Sequence, residues 1–248
     1  MSAGCHDIEV SDDPERSAVN AQATPAGRAS IDELLDRAVA AINRGDRETA
    51  TALAGRVLAA DSANVEAEDL LAAPSDPGEI RRLTIFFADL VDSTVLSTQV
   101  EPETYRLLVG RYREQVLRAV NRYEGHIGST HGDGLLAVFG HPVAHEDDVR
   151  RAVHAGLEIT REVARISDQA KRRLAVEVNV RVGVHRGLVY LDTAQDDVYG
   201  LAANLAARVS GLAPPGTVVV SDAVKMLIHN DFELEERPAA LASIFRPG

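Results

Sequence analysis

The chain has 248 residues and a mass of 26.6 kDa, room for one large domain with an appendage. Its net charge of -12 is unevenly spread: residues 1–80 carry a net of -10 and residues 81–248 a net of -2, and a near-neutral larger segment argues against direct binding to nucleic acid, where phosphate neutralisation supplies most of the affinity. The lone Cys5 permits no internal disulfide, no apolar run approaches the roughly 18 residues of a membrane span, and residues 1–10 lack the basic and apolar regions of a secretory signal, so a soluble protein of a reducing cytoplasm is expected, with no membrane partner.

Residues 1–29 are rich in Ser, Ala, Asp, Glu and Pro and poor in large apolar side chains, which predicts a disordered tail. From Ser30, a residue suited to an N-cap, apolar side chains recur at helical spacing (Leu34, Ala38, Ala41, then Ala50, Leu53, Val57, Leu58) around a break at Gly45 and Asp46. Two helices and the start of a third are expected over residues 30–73. The positions of Leu34, Ala38, Ala41, Ala50, Ala54 and Ser62 resemble one tetratricopeptide repeat, with Ser62 where proline is usual; a plain helical hairpin reads the same residues equally well. A single such unit must pack on the rest of the chain or on a protein partner. Residues 74–80, which begin "PSDPG", read as a linker.

Beyond the linker, an apolar run over residues 83–88 predicts a buried strand, and residues 103–123 an amphipathic helix with Tyr105, Leu108, Val109, Tyr112, Val116, Val120 and Tyr123 along one stripe. Two short strands, 127–130 and 135–139, flank an "HGDG" turn and predict a hairpin. A helix over 149–166 follows, and then "VEVNVRVGV" (176–184), whose valines alternate with Glu177, Asn179 and Arg181 as in a half-buried strand. A helix over 201–212, a strand over 217–221 and a short helix complete the series. The order βαββαβ, with one further helix and strand, predicts a two-layer α+β sandwich with a largely antiparallel sheet.

The chemistry-bearing residues fall at the ends of these elements. Asp89 closes the first strand in "FADLVDST", and Asp133 sits at the hairpin tip in "THGDGLLAVF". A carboxylate at a strand end, followed by a turn into a helix that opens with Ser93 and Thr94, places oxygen ligands beside free N–H groups able to receive phosphate. Two carboxylates on adjacent strands can hold a pair of hard divalent ions, the usual solution for phosphoryl chemistry, although turn aspartates are also common. In "DVYGLAANLAAR" Asp197 precedes the turn at Gly200, and Asn204 and Arg208, four apart, share one helix face. An amide and a guanidinium so placed can grip a ribose or a phosphate, or form an ordinary solvated face.

The segments "FADLVDST", "GDGLLAVFG" and "DVYGLAANLAAR", in this order and at these separations, resemble the catalytic domain of the class III adenylyl and guanylyl cyclases, over about residues 81–232. The resemblance implies a ferredoxin-like core within a cyclase domain over 81–248 whose C-terminus is shortened or diverged. It implies that Asp89 and Asp133 bind two ions, Mg²⁺ or Mn²⁺, with Leu90 adding a backbone carbonyl. Asp197 then selects adenine, Asn204 orients the ribose, and Arg208 stabilises the pentacoordinate α-phosphate. In that family the sites lie at a dimer interface, so a homodimer is implied, with the aspartates of one subunit facing Asn204 and Arg208 of the other. The implied reaction turns ATP into 3',5'-cyclic AMP and pyrophosphate. The alternative is a degenerate cyclase-like domain that binds nucleotide or dimerises as a regulatory module.

Departures from the family pattern bear on the substrate. The adenine-selecting lysine is replaced by Ser129, and no lysine follows Lys225, so the triphosphate-gripping lysine is missing, with Arg237 or Arg246 as substitutes. Ser129 reaches the purine only at short range or through water. Guanylyl cyclases typically have glutamate there, and retention of Asp197 favours ATP. Asp92 stands where glycine is more usual. His126, His131, His141 and His145 are close in sequence, but Pro142 breaks helical i, i+4 spacing, and loop histidines are expected in preference to a zinc site.

Overall fold

A computed structural model describes residues 25–73, 79–192, 197–199, 201–236 and 242–245. The first 24 residues of the expected tail, most of the expected linker, Gly200, Arg237 and Arg246 lie outside the described residues.

The helices α1 (Pro25–Asn43), α2 (Arg47–Ala60) and α3 (Val65–Ala72) come first. Asp46 and Asn64 cap α2 and α3, their side chains accepting the amides of Thr49 and Ala67. By contrast, Ser30 lies inside α1, which begins at Pro25; proline at a first helical position gives up no intrahelical bond and has its φ already set.

The long strand β1 (Glu79–Leu90) leads through α4 (Ser93–Gln99) and α5 (Pro102–Arg122) to the hairpin β2 (His126–His131) and β3 (Gly134–Phe139). After α6 (Asp148–Leu174) come β4 (Val180–Asp192), β5 (Asp197–Tyr199), α7 (Leu201–Gly211), β6 (Thr217–Ser221), α8 (Asp222–Ile228), β7 (Leu234–Glu236) and β8 (Ala242–Phe245). The strand order is β2-β3-β1-β4-β6-β8-β7, with β5 paired to β4. Among the described residues only β4 and β6 pair in parallel, so the sheet is mostly antiparallel. The run β2-β3-β1-β4 with α5 and α6 is the expected ferredoxin-like βαββαβ unit, extended at the β4 edge.

Register decides which face each residue serves. β1 and β4 pair from Glu79 opposite Leu191 to Leu90 opposite Val180. Phe86, Ala88 and Leu90, with Val180, Val182 and Val184, pack beneath α5 and α6. The alternate residues Leu83 and Ile85, with Val189 and Leu191, meet Ala202 and Ala206 of α7. Strand β4 starts later than the valine alternation predicts because the Val178 amide is taken by Ser167 Oγ at 3.0 Å, which keeps this stretch out of the ladder while Val176 and Val178 stay buried.

The N-terminal helices pack part of their apolar surface on the sheet. Leu35, Leu53, Val57 and Leu70 share a core with Ile80 and Leu188 at the far end of the sheet. The Asn43 side chain both donates to and accepts from the Ile80 backbone at 2.8 Å, and Arg82 joins Asp36 at 3.1 Å and Glu66 at 2.7 Å. The sheet therefore takes the role that a stacked repeat or partner would otherwise fill.

Helix α7 approaches β4 so closely that a Cβ at Gly183 would collide with the Ala206 carbonyl and the Ser210 amide. Backbone on both sides leaves no flexible end to yield. Gly183→Ala is expected to displace α7 and to cost about 1–3 kcal/mol of stability through overpacking, read as a lowered midpoint in urea.

Candidate active site

Asp89 stands on the α7 face of β1, one residue from its end, with Arg181 of β4 as its cross-strand partner. Asp133 occupies the turn between β2 and β3, after Gly132 at φ +62. Arg113 of α5 donates to the Gly132 carbonyl and so ties down the hairpin tip. The two aspartates, far apart in sequence, thus meet because β1 and β3 are neighbours in the sheet. Burial, and then the negative charge of Asp133, push the Asp89 carboxyl above its usual range, while Arg181 pulls it back.

Other atoms at this corner lack partners. Asp133 Oδ2, Arg181 Nε and the Tyr112 hydroxyl are buried with no hydrogen bond. Two mutually repelling carboxylates with an unsatisfied inner oxygen form a donor set that suits a hard divalent cation. Among the described residues no group of three or more His, Cys, Asp or Glu side chains is placed to hold a metal. A cation held here would need oxygens brought by a ligand beside the two carboxylates, as Mg²⁺ commonly is with phosphates. The loop histidines converge on no such centre. His126 lies edge-on to His141 at 5.1 Å, and His145 lies 3.6 Å from Asp148; the His131 side chain is outside the described residues.

The remaining candidates sit around this corner. Leu90 is buried and fixed in the ladder opposite Val180. Ser93 and Thr94 open α4 directly after Asp92, which takes the left-handed conformation at φ +50 and so explains why glycine suits that position. Ser129 follows a bulge in β2, where Gly128 is skipped between the Ile127 and Ser129 pairings, a device that re-aims a side chain. On α7, Ala202 and Ala206 are buried against the sheet, while Asn204 and Arg208 are exposed. Among the described residues no hydrogen bond or ion pair joins Asn204 or Arg208 to Asp89 or Asp133. Asp197 pairs through its backbone with Asp192, and its side chain lies outside the described residues.

The model of the adenylate and guanylate cyclase catalytic domain matches residues 76–241. The chain belongs to that family. An adenylate cyclase of Streptomyces coelicolor is 32% identical over 143 residues, covering 58% of this chain and 33% of that protein, so the chain matches about a third of that relative's length. The adenylyl cyclase CyaB from P. aeruginosa superposes with a TM-score of 0.62 at 21% identity, over 68% of this chain and 95% of that one. The guanylyl cyclase Cya2 superposes with a TM-score of 0.61 at 22% identity, over 68% of this chain and 93% of that one. At such identities these two structures speak to the fold, and they include both nucleobase types.

Two residues of the cyclase domain escape a reading of sequence alone. Arg181 looks like one polar position of an alternating strand, yet register sets it against Asp89; Tyr112 looks like one apolar position on α5, yet its buried hydroxyl is left without a hydrogen-bond partner and feels the charge of both carboxylates.

His185 of β4 is a third group whose environment only the fold reveals. Its Nδ1 lies 2.8 Å from Ser221 Oγ, and burial lowers its pKa to about 4. The unfolded chain then binds a proton near pH 6.5 that the folded cyclase domain refuses until about pH 4. This contribution to stability is complete above pH 6.5 and declines as the pH falls through that window. Lowering the pH from 7 to 5 is expected to cost about 2 kcal/mol from this group. Urea midpoints compared between wild type and His185→Asn at both pH values would reveal it as a reduced pH dependence in the variant.

Proposed function

We propose that this protein is an adenylyl cyclase that converts ATP to 3',5'-cyclic AMP and pyrophosphate at a site shared between two copies of the chain. The observation that carries the reading is the split of the site: Asp89 and Asp133 meet within one chain, while Asn204 and Arg208 face outward on α7 without partners among the described residues. In a homodimer, α7 of one copy would face the carboxylate corner of the other. Asp89, Asp133 and the Leu90 carbonyl would hold two divalent ions, Mg²⁺ or Mn²⁺. Such ions, when bound, lower the pKa of a hydroxyl and neutralise phosphate charge.

The chain's own groups do the rest. Asn204 orients the ribose so that its 3'-oxygen lies in line with the α-phosphorus, which converts positioning into rate. Arg208 offers a planar fork of donors to charge that builds on the α-phosphate as the O–P bond forms and pyrophosphate leaves. Asp197 accepts from the adenine amino group, with Ser129 nearby as a short-range or water-mediated contact. The first turn of α4, with Ser93 and Thr94, faces the phosphates. The helical unit expected over residues 30–73 begins earlier, at Pro25, and the strand that opens the cyclase domain begins at Glu79, within the expected linker; residues 30–73 would be the tetratricopeptide-like unit and 81–248 the cyclase domain. Among the described residues no helix is long and apolar enough to cross a membrane.

Ser129, in place of the family's lysine, favours a second reading in which the domain binds nucleotide without turnover. The decisive experiment is incubation of the pure protein with ATP and Mn²⁺ and measurement of cyclic AMP. No product above the background of an Asp89 variant overturns the enzyme and leaves the second reading.

A further inference from the structure

Tyr112 is fully buried on α5, in the core shared with Ala88 and Leu90, which flank Asp89. Its hydroxyl has no hydrogen-bond partner, and neither does Oδ2 of Asp133, which is also buried. Burial, followed by the negative charges of Asp89 and Asp133, drives the phenol far above its ordinary range, so it remains a protonated donor at any physiological pH. The next residue on α5, Arg113, donates to the carbonyl of Gly132, which brings this turn of the helix to the hairpin tip that carries Asp133, so an unsatisfied donor and an unsatisfied acceptor are buried at the same end of the sheet. Buried polar groups without partners are rare, because each forfeits the hydrogen bonds it made to water. Phenylalanine would fill the same space on α5 without that loss. The buried hydroxyl therefore calls for a partner that its own packing does not supply.

We infer that Tyr112 is a positioning residue for the carboxylate pair, donating its hydroxyl to Oδ2 of Asp133 when a divalent cation occupies the site. With a cation bound, one oxygen of Asp133 would serve as a ligand, leaving the inner oxygen to accept from the phenol. The bond fixes the rotation of the carboxylate and raises the fraction of time its outer oxygen faces the ion. Such outer-shell partners typically alter metal affinity about 10- to 100-fold. The inference rests on the reading of Asp89 and Asp133 as cation ligands.

Tyr112→Phe tests it through two readouts that move in opposite directions. With chelator present, the variant is expected to melt at the same temperature as wild type or higher, since only an unpaired hydroxyl has gone. Binding of Mn²⁺, followed by the electron paramagnetic resonance of the free ion, is expected to weaken about tenfold, both with the ion alone and with 3'-deoxy-ATP, which lacks the reacting hydroxyl. Unchanged Mn²⁺ affinity overturns the inference. So does a lower melting temperature in chelator with unchanged affinity, which assigns the hydroxyl a purely structural bond. Asp89→Asn separates the two levels of argument. If wild type binds Mn²⁺ and Asp89→Asn does not, the carboxylate reading stands and Tyr112 is judged on its own. If wild type binds no Mn²⁺ in either arm, the carboxylate reading itself fails and the inference falls with it.

Discussion

Asp89→Asn is expected to lower cyclic AMP formation from ATP by about a hundredfold or more, with no loss of stability in the ion-free protein. Each tenfold in rate corresponds to about 1.4 kcal/mol, and a cation acting on a phosphoryl group supplies several kcal/mol, so losing one of the two proposed carboxylate ligands would remove a large part of the barrier reduction. Asparagine keeps the shape and one acceptor oxygen but cannot carry the charge. Stability should move the other way. The fold holds the Asp89 carboxyl above its usual range, chiefly through burial and then through Asp133, so the ionised form is less favourable in the folded chain than in the unfolded one. That cost is present at neutral pH, is relieved as the pH falls through the raised pKa, and is absent in Asp89→Asn. A melting temperature in chelator equal to or above wild type, together with the lost activity, assigns the effect to chemistry. A marked drop in melting temperature would instead make Asp89 a structural residue and remove the main support for the carboxylate site.

How much of this was legible in the sequence depends on whether the information is local. The apolar run that ends on Asp89, the turn around Asp133 and the i, i+4 pair Asn204 and Arg208 are short-range patterns, and each sits on the element its pattern predicts. The mostly antiparallel sheet follows from the order of those elements. Arg181 is different. Its strand is legible, but its position opposite Asp89 depends on the register between β1 and β4, fixed by long-range pairing that no local pattern encodes. Tyr112 hides for a related reason, since a stripe position on α5 says that the ring is buried and nothing about what its hydroxyl meets. The start of β4 was misread because alternation alone ignores competition for backbone donors, and Ser167 takes the Val178 amide. Likewise the start of α1 was misplaced because Ser30 has the chemistry of a cap, while Pro25 already begins the helix upstream.

Mixing Asp89→Asn with Arg208→Ala in equal amounts is expected to restore about a quarter of wild-type activity, although each variant alone is nearly inactive. The prediction follows from symmetry. If every site takes its carboxylates from one copy and its arginine from the other, a homodimer of either variant has a defect in both of its sites. In a mixed dimer both defects fall in one site, and the other is intact. Random exchange places about half of the chains' dimers in the mixed form, each with one working site of two, which gives about a quarter of the full rate. Asn204 and Arg208 are exposed and have no partner among the described residues, which makes this arrangement physically reasonable, because an arginine already committed to an ion pair in its own chain would have to break it first. Arg208 is exposed on α7, unlike Ala202 and Ala206, so Arg208→Ala is expected to fold, which its urea midpoint checks. Activity that stays at the sum of the two separate variants, under conditions where subunits demonstrably exchange, would show that Asp89 and Arg208 do not complete one site across an interface, and the shared-site mechanism would have to be abandoned.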